Sequence, residues 1–318
     1  MAETINSDLI IYNDLAQTAY LERIQDVIQV FNAQSKNALI LNSELIEGDL
    51  RKRAGYKVGG SIAHRNVNST SGVTPANIDA LEMVGVKTPW KYGPYATTEE
   101  AFKRRARSPE EFSTVVGQDM ADAVLEGWVE FALSSVEGAI RSNSGMVVPG
   151  SLATDGKKVL TRGLRTLGDR FSRLAIWVMD SEMYFDIVDQ AIDADIYNEA
   201  GVVVYGGSPG TMGKPVLVTD KAPSGVILGL QSGAVSAIES QAPGMRSYNI
   251  DDKENLAIGF RAEGVVNLDV MGYSWDEQAG GVNPTLAALG SSANWTKYAA
   301  SDKSTAGFII DLNSASGS

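Results

Sequence analysis

One stretch, residues 108–140, restricts what this chain can fold into more than any other. Ser108-Pro109-Glu110-Glu111 joins an N-cap serine, a proline at the first helical position and a glutamate three residues after the cap. Phe112, Val116, Met120, Val124, Trp128, Phe131 and Ser135 then recur at helical spacing. The pattern predicts one helix to about Ile140, roughly 45–50 Å long and far beyond the usual length of about 11–12 residues. A helix this long with a single apolar stripe is a spine. A sheet or a neighbouring chain must lie along it.

The segments around the spine differ in texture. Leu21, Ile24, Ile28 and Phe31 stand three and four apart and predict a short amphipathic helix over 14–32. The following NAQSKNALILNSELIEGDLRKRA turns polar, apolar and then basic, which reads as an arm. Over 55–96, Gly, Ser, Thr, Asn and Pro punctuate short alternating runs such as Leu81 to Val86, the pattern of a two-stranded excursion with a loose tip. An isolated hairpin is marginal in water, so this one needs a neighbour in its own chain or another.

Beyond a Gly/Ser break at 142–150 the texture becomes α/β. Asp155 is placed to cap a helix with the stripe Leu160, Leu164, Leu167, Phe171 and Leu174. Ala175 to Met179 reads as a buried strand, followed by a helix begun by Asp180-Ser181. The strands GVVVY, KPVLVTD and GVILGL follow, separated by Gly/Pro turns. From about 242 the chain alternates again, and Leu256, Ile258, Phe260, Val265, Val266, Leu268 and Val270 suggest two or more long strands. A turn-rich tail ends in one more strand, and no fixed-period repeat occurs.

Composition removes several function classes. With no cysteine, disulfides and thiolate metal sites are excluded, and the single histidine, His64, removes most histidine-based chemistry. A net charge of −12 makes the chain as a whole a poor binder of phosphate backbones. No run is apolar enough for a membrane span, and the opening MAETINSDLIIYND lacks the features of a signal peptide, so synthesis in the cytoplasm is expected.

Two strings imitate catalytic loops. Gly206-Gly207-Ser208-Pro209-Gly210 fits G-x-S-x-G, but Pro209 and Gly210 follow the serine where a nucleophile elbow needs a helix, and His64 precedes Ser208. Gly213-Lys214 looks like the end of a P-loop, but Ser208 stands where glycine is required and Pro215 where a hydroxyl is required. Both readings, hydrolase and NTPase, fail on local structure. Glu182, Asp186, Asp189, Asp193 and Asp195 could hold Mg²⁺ or Ca²⁺, yet Met183, Ile187 and Ile192 line another face, so a solvated acidic face is the better reading. Lys103-Arg104-Arg105-Ala106-Arg107 could touch nucleic acid; given the net charge, a patch meeting an acidic neighbour fits better. Asn68-Ser69-Thr70 and Asn294-Trp295-Thr296 are glycosylation sequons only in a secreted chain. No catalytic, cofactor-binding or metal residue is assigned.

The order of segments resembles the major capsid proteins of tailed bacteriophages, the Hong Kong 97-like fold. SPEEFSTVVGQDMADAVLEGWVEFALSSVEGAI looks like their spine helix, and AIWVMDSEMYFDIVDQA is similar to the strand–helix unit of their axial domain. TMGKPVLVTDKAP with GVILGLQSGAV resembles another axial succession, and GGVNPTLAALGSSANW looks like the tail of podovirus-type coat proteins. The resemblance implies an α+β chain divided into an N-terminal arm (1–54), an extended loop (55–96), a peripheral domain with the spine helix (97–145), an α/β axial domain (146–240) and peripheral return strands with the C-terminal tail (241–318).

Its implied function is a structural, non-enzymatic coat protein without cofactor. It would self-assemble into pentamers and hexamers of an icosahedral shell around double-stranded DNA, in the virion, after assembly in the host cytoplasm. Implied partners are further copies of the chain, a separate scaffolding protein, a portal and decoration proteins. Some relatives cross-link Lys to Asn between subunits; Lys57, Lys87 and Lys91 lie in or beside the loop, but no motif designates the Asn and Glu. The alternative on the same fold is an encapsulin, a cellular compartment that genome neighbours would separate from a phage shell.

Overall fold

The computed structural model describes residues 6–44, 46, 48–57, 62–72, 74–75, 79–98, 100, 104, 109–156, 158–198, 214–251, 254–255 and 257–313. Four helices of ten or more residues are present among them: α1 (Asn6–Gln34), α2 (Pro109–Arg141), α3 (Lys158–Leu167) and α4 (Ser181–Asn198). The spine is therefore a 33-residue helix, as its periodicity predicts. Its first half buries one stripe through Met120, Val124 and Trp128. Its second half is wrapped on several faces, burying Ala132, Leu133, Ser135, Val136, Ala139 and Ile140.

Helix α1 lies along α2, and Arg23 pairs with Asp122 between them at 3.1 Å. Lys36 and Asn37 turn the chain with φ of 53° and 55°, and β1 (Leu39–Ser43) follows. The stretch that reads as an arm is thus held locally. The Asn32 side-chain amide takes both backbone groups of Leu41, each at 2.9 Å, and Leu39 and Leu41 are buried. No local pattern marks β1, because its partner lies nearly 200 residues away in the chain.

The larger strands are β2 (Leu50–Lys57), β3 (Asp79–Thr98), β8 (Val235–Ile250) and β9 (Ala257–Val270). With β1 they form a sheet ordered β1-β8-β9-β3-β2, in which β1 and β8 run parallel and the other pairs antiparallel. The two long strands expected from about 242 are the outer part of β8, which begins earlier, at Val235, and β9.

A second five-stranded sheet has the order β4-β12-β7-β5-β6, from Val147–Pro149, Gly307–Asp311, Val226–Gln231, Leu174–Met179 and Val216–Val218. The tail's last strand, β12, is therefore drawn between β4 and β7 of the α/β block. A short pair, β10 (Tyr273–Trp275) with β11 (Trp295–Lys297), stacks Trp275 edge-on to Trp295 with centroids 5.0 Å apart.

Two local expectations are corrected. Asp155 ends a helical turn, Leu152–Asp155, that Ser151 caps, three residues before α3, and its carboxylate accepts both guanidinium arms of Arg162 at 2.9 Å. Phe171 is exposed and Leu174 opens β5, because a 3₁₀ segment, Gly168–Arg173, breaks the helical register after Leu167. By contrast Asp180 does cap α4, its Oδ1 accepting the Met183 amide at 2.8 Å.

Candidate assembly surfaces

The β2–β3 hairpin is paired from Leu50 with Val86 to Lys57 with Asp79, and β3 then continues against β9 from Val86 to Thr98. Its root is tied on both faces. Asp269 Oδ2 accepts Arg51 at 3.0 Å and Arg53 at 2.7 Å, while Lys52 Nζ meets Glu277 Oε2 at 2.8 Å. The hydrogen bond to Glu277 holds the Lys52 ammonium above its ordinary range. The Ser274 hydroxyl accepts the Val84 amide at 2.9 Å. Toward the tip these ties end. Tyr56 is 75% exposed, Val67 is 75% exposed and Ile62 is fully exposed. His64, Arg65 and Asn68 are exposed beside them.

Beneath the sheet, Tyr20 on α1 donates to Glu239 Oε1 on β8 at 2.8 Å. Burial pushes the Glu239 carboxyl above the usual carboxylate range, against the hydrogen bonds from Tyr20 and Ser43. The Tyr20 hydroxyl is itself held far above its ordinary value, first by burial and then by the adjacent carboxylate. Tyr92 on β3 donates to Asp119 on α2, so the sheet is fastened to the spine by a second phenol–carboxylate contact. Among the described residues of the α/β block, the large apolar side chains left in solvent are Phe171, Phe185 on α4 and Val218 on β6.

The residues singled out in the sequence are scattered. Ser208 and all of residues 201–213, with the expected strand GVVVY, lie outside the described residues. Lys214 donates to the Ser172 carbonyl at 3.3 Å, beside β5. Glu182, Asp186 and Asp189 are exposed while Met183 and Ile187 are buried, the pattern of a solvated face; the side chains of Ile192, Asp193 and Asp195 lie outside the described residues. Among the described residues no group of three or more acidic side chains and histidines is placed to hold a metal ion, and no helix is long and apolar enough to cross a membrane. Within the basic run Arg104 pairs with Glu100 at 2.7 Å; Lys103, Arg105 and Arg107 lie outside the described residues.

Lys87 donates to the Ile46 carbonyl at 2.6 Å, Lys91 is exposed, and the Lys57 side chain lies outside the described residues. Asn294 is buried with its amide on the Ala288 carbonyl at 2.9 Å. Sequence reading missed Asp269, Glu239 and Tyr20, whose partners are far apart in the chain. The one available signal was Gly85, a glycine inside a strand pattern, which marks a bulge or a close approach.

Comparison with known proteins agrees with this architecture. No curated protein sequence matches the chain. Among solved structures, a protein of Microbacterium phage Oxtober96 superposes with a TM-score of 0.53 at 12% identity, over 88% of this chain and 90% of that one. The capsid of a native GTA particle superposes with a TM-score of 0.50 at 14% identity, over 73% of this chain and 83% of that one. At such identities the likeness speaks for the fold, which is the α+β, Hong Kong 97-like capsid fold. The Gp13-like family profile, described as major capsid protein 13-like, matches residues 8–309. Matched over nearly its whole length, the chain belongs to this family of phage major capsid proteins.

Proposed function

We propose that the chain self-assembles into pentamers and hexamers of an icosahedral shell that encloses double-stranded DNA. The observation that carries this reading is the hairpin. A root tied on both faces projects a tip whose Tyr56, Ile62 and Val67 stand in water, an arrangement suited to lying on a second copy. In this reading the α/β block, 146–240, gathers around the fivefold and sixfold axes, where Phe171, Phe185 and Val218 are available for contact. The spine helix and the return strands within 241–318 face neighbouring capsomers. Closed symmetry lets many modest contacts of this kind add up.

The net charge of −12 suits a shell that is filled by a motor rather than one that condenses its genome. The subunit acts structurally, without catalytic residues or cofactor. Assembly proceeds in the host cytoplasm with a scaffolding protein, a portal and decoration proteins as partners. Electron microscopy of the purified protein with its scaffold tests the proposal. Closed shells with fivefold and sixfold clusters are expected; only monomers or dimers under assembling conditions would overturn it.

A further inference from the structure

Gly85 stands on β3, the strand between β2 and β9, opposite Arg51. A Cβ at Gly85 would lie 1.8 Å from Asp269 Oδ1 and 3.0 Å from its Cγ. The Asp269 carboxylate therefore occupies the space that any other side chain would fill there. Strands β9 and β2 are two sheet spacings apart, about 9.5 Å, and a short aspartate on one does not ordinarily meet residues on the other. Over Gly85 it does. The same Oδ2 accepts Arg51 Nη1 at 3.0 Å and Arg53 Nη2 at 2.7 Å. The carboxylate side chain is 13% exposed and that of Arg51 23%, so this pair is better shielded than a surface ion pair, while Arg53 reaches it from solvent.

Asn267 lines the same gap, its Nδ2 3.1 Å from the Cβ position, and is fully buried. The space at Gly85 is thus closed to a side chain from two directions. On the other face of the hairpin, Lys52 lies between Glu277 at 2.8 Å and Glu82 at 3.8 Å. Among the described residues the outermost tie to the rest of the fold is the Ser274 hydroxyl donating to the Glu82 carbonyl at 3.3 Å, opposite Ala54, and beyond it Gly55 pairs with Leu81 in a two-stranded ribbon.

We propose that Asp269 is a positioning residue: passing over Gly85, it clamps β2 to β9 across β3 and fixes the angle at which the hairpin leaves the sheet. Bending is then confined to the ribbon beyond Ala54 and Glu82. The consequence for assembly rests on the reading of the hairpin as an inter-subunit contact; the clamp itself does not.

Hydrogen exchange on the unassembled subunit tests the clamp. Asp269→Asn weakens both pairings, Gly85→Ala displaces the carboxylate without removing its charge, and Arg51→Gln/Arg53→Gln removes the partners from the edge strand β2. In each, amides within 50–57 and 79–86 are expected to exchange about tenfold faster, while those of β7 and β12 keep their protection. Should either of the first two variants fail to fold, the double arginine variant decides. Wild-type exchange at 50–57 in the double variant overturns the clamp. The same variants, mixed with scaffold, separate the two readings. Loosened hairpins with misshapen or fewer shells support both. Loosened hairpins with wild-type shells leave the clamp standing and sink the contact reading.

Discussion

In the sheet ordered β4-β12-β7-β5-β6, strands β7 and β12 are buried along their whole lengths. In the sheet ordered β1-β8-β9-β3-β2, β8 starts buried at Val235 and becomes mostly exposed beyond Ser240, where Tyr248 stands in solvent. The first sheet is closed by its own chain, with α3 packed on β12. The second runs out beyond the helices α1 and α2 that cover its inner half. The difference separates two tasks. One sheet carries the stability of the subunit, and the other offers strands to something outside it.

The largest expected effect falls on the closed sheet. Phe308 on β12 is fully buried, edge-on to Trp177 with centroids 5.6 Å apart. Its ring fills the space beside Gly163 and Gly229, where a Cβ at either would approach it to 2.4 Å. Phe308→Ala is expected to cost about 3–5 kcal/mol in a denaturant titration. A loss below about 1 kcal/mol would show that stability does not reside in this sheet, and the contrast would collapse.

Next comes the buried inner half of the open sheet. Tyr20→Phe removes the hydroxyl that donates to Glu239 and leaves the carboxylate with Ser43 at 3.4 Å as its remaining donor. A cost of about 1–3 kcal/mol is expected, because a buried acceptor loses a partner. A negligible loss would mean that α1 is not fastened to the sheet through this contact.

Glu239 itself gives a smaller effect with a definite sign. Burial raises its folded-state value, so the folded protein binds this proton more tightly than the unfolded chain does. Stability from this group is greatest below the ordinary carboxylate range and is lost as pH rises through the raised value. Glu239→Gln keeps a side-chain oxygen to accept from Tyr20 and removes the titration. It is expected to be more stable than the wild type at neutral pH, with the difference gone near about pH 4. An equal difference at both pH values would assign the effect to packing instead of charge.

How far these features can be read in advance follows the range of the interactions. The spine was legible because Ser108, Pro109, Glu111 and the stripe from Phe112 to Ser135 are all local signals. The Asp180 cap and the GVILGL strand were legible for the same reason. Strand β1 and the insertion of β12 between β4 and β7 were not, since each is selected by a partner far along the chain. The break after Leu167 was missed because the apolar spacing of Phe171 and Leu174 continues through it. Among the candidate surfaces, the hairpin's Gly/Pro punctuation announced that a ribbon would form. Gly85 alone announced a close approach, and nothing local could announce that Asp269 would make it.

The smallest effect on the isolated subunit is expected at the hairpin tip. Tyr56 lies past the last root contacts and is 75% exposed, so Tyr56→Ala removes little buried area and should alter subunit stability by less than about 0.5 kcal/mol. Its effect on assembly should be the opposite in scale. An aromatic side chain held in water on a projecting ribbon gains most when a second surface covers it. The measurement is therefore a pair: thermal unfolding of the subunit, and the protein concentration at which shells first form with scaffold. Unchanged unfolding with a raised threshold sharpens the division between a self-sufficient sheet and one that is completed by a neighbour. Unchanged values in both would remove Tyr56 from the contact, and a large loss of subunit stability would show that the tip is already packed within its own chain.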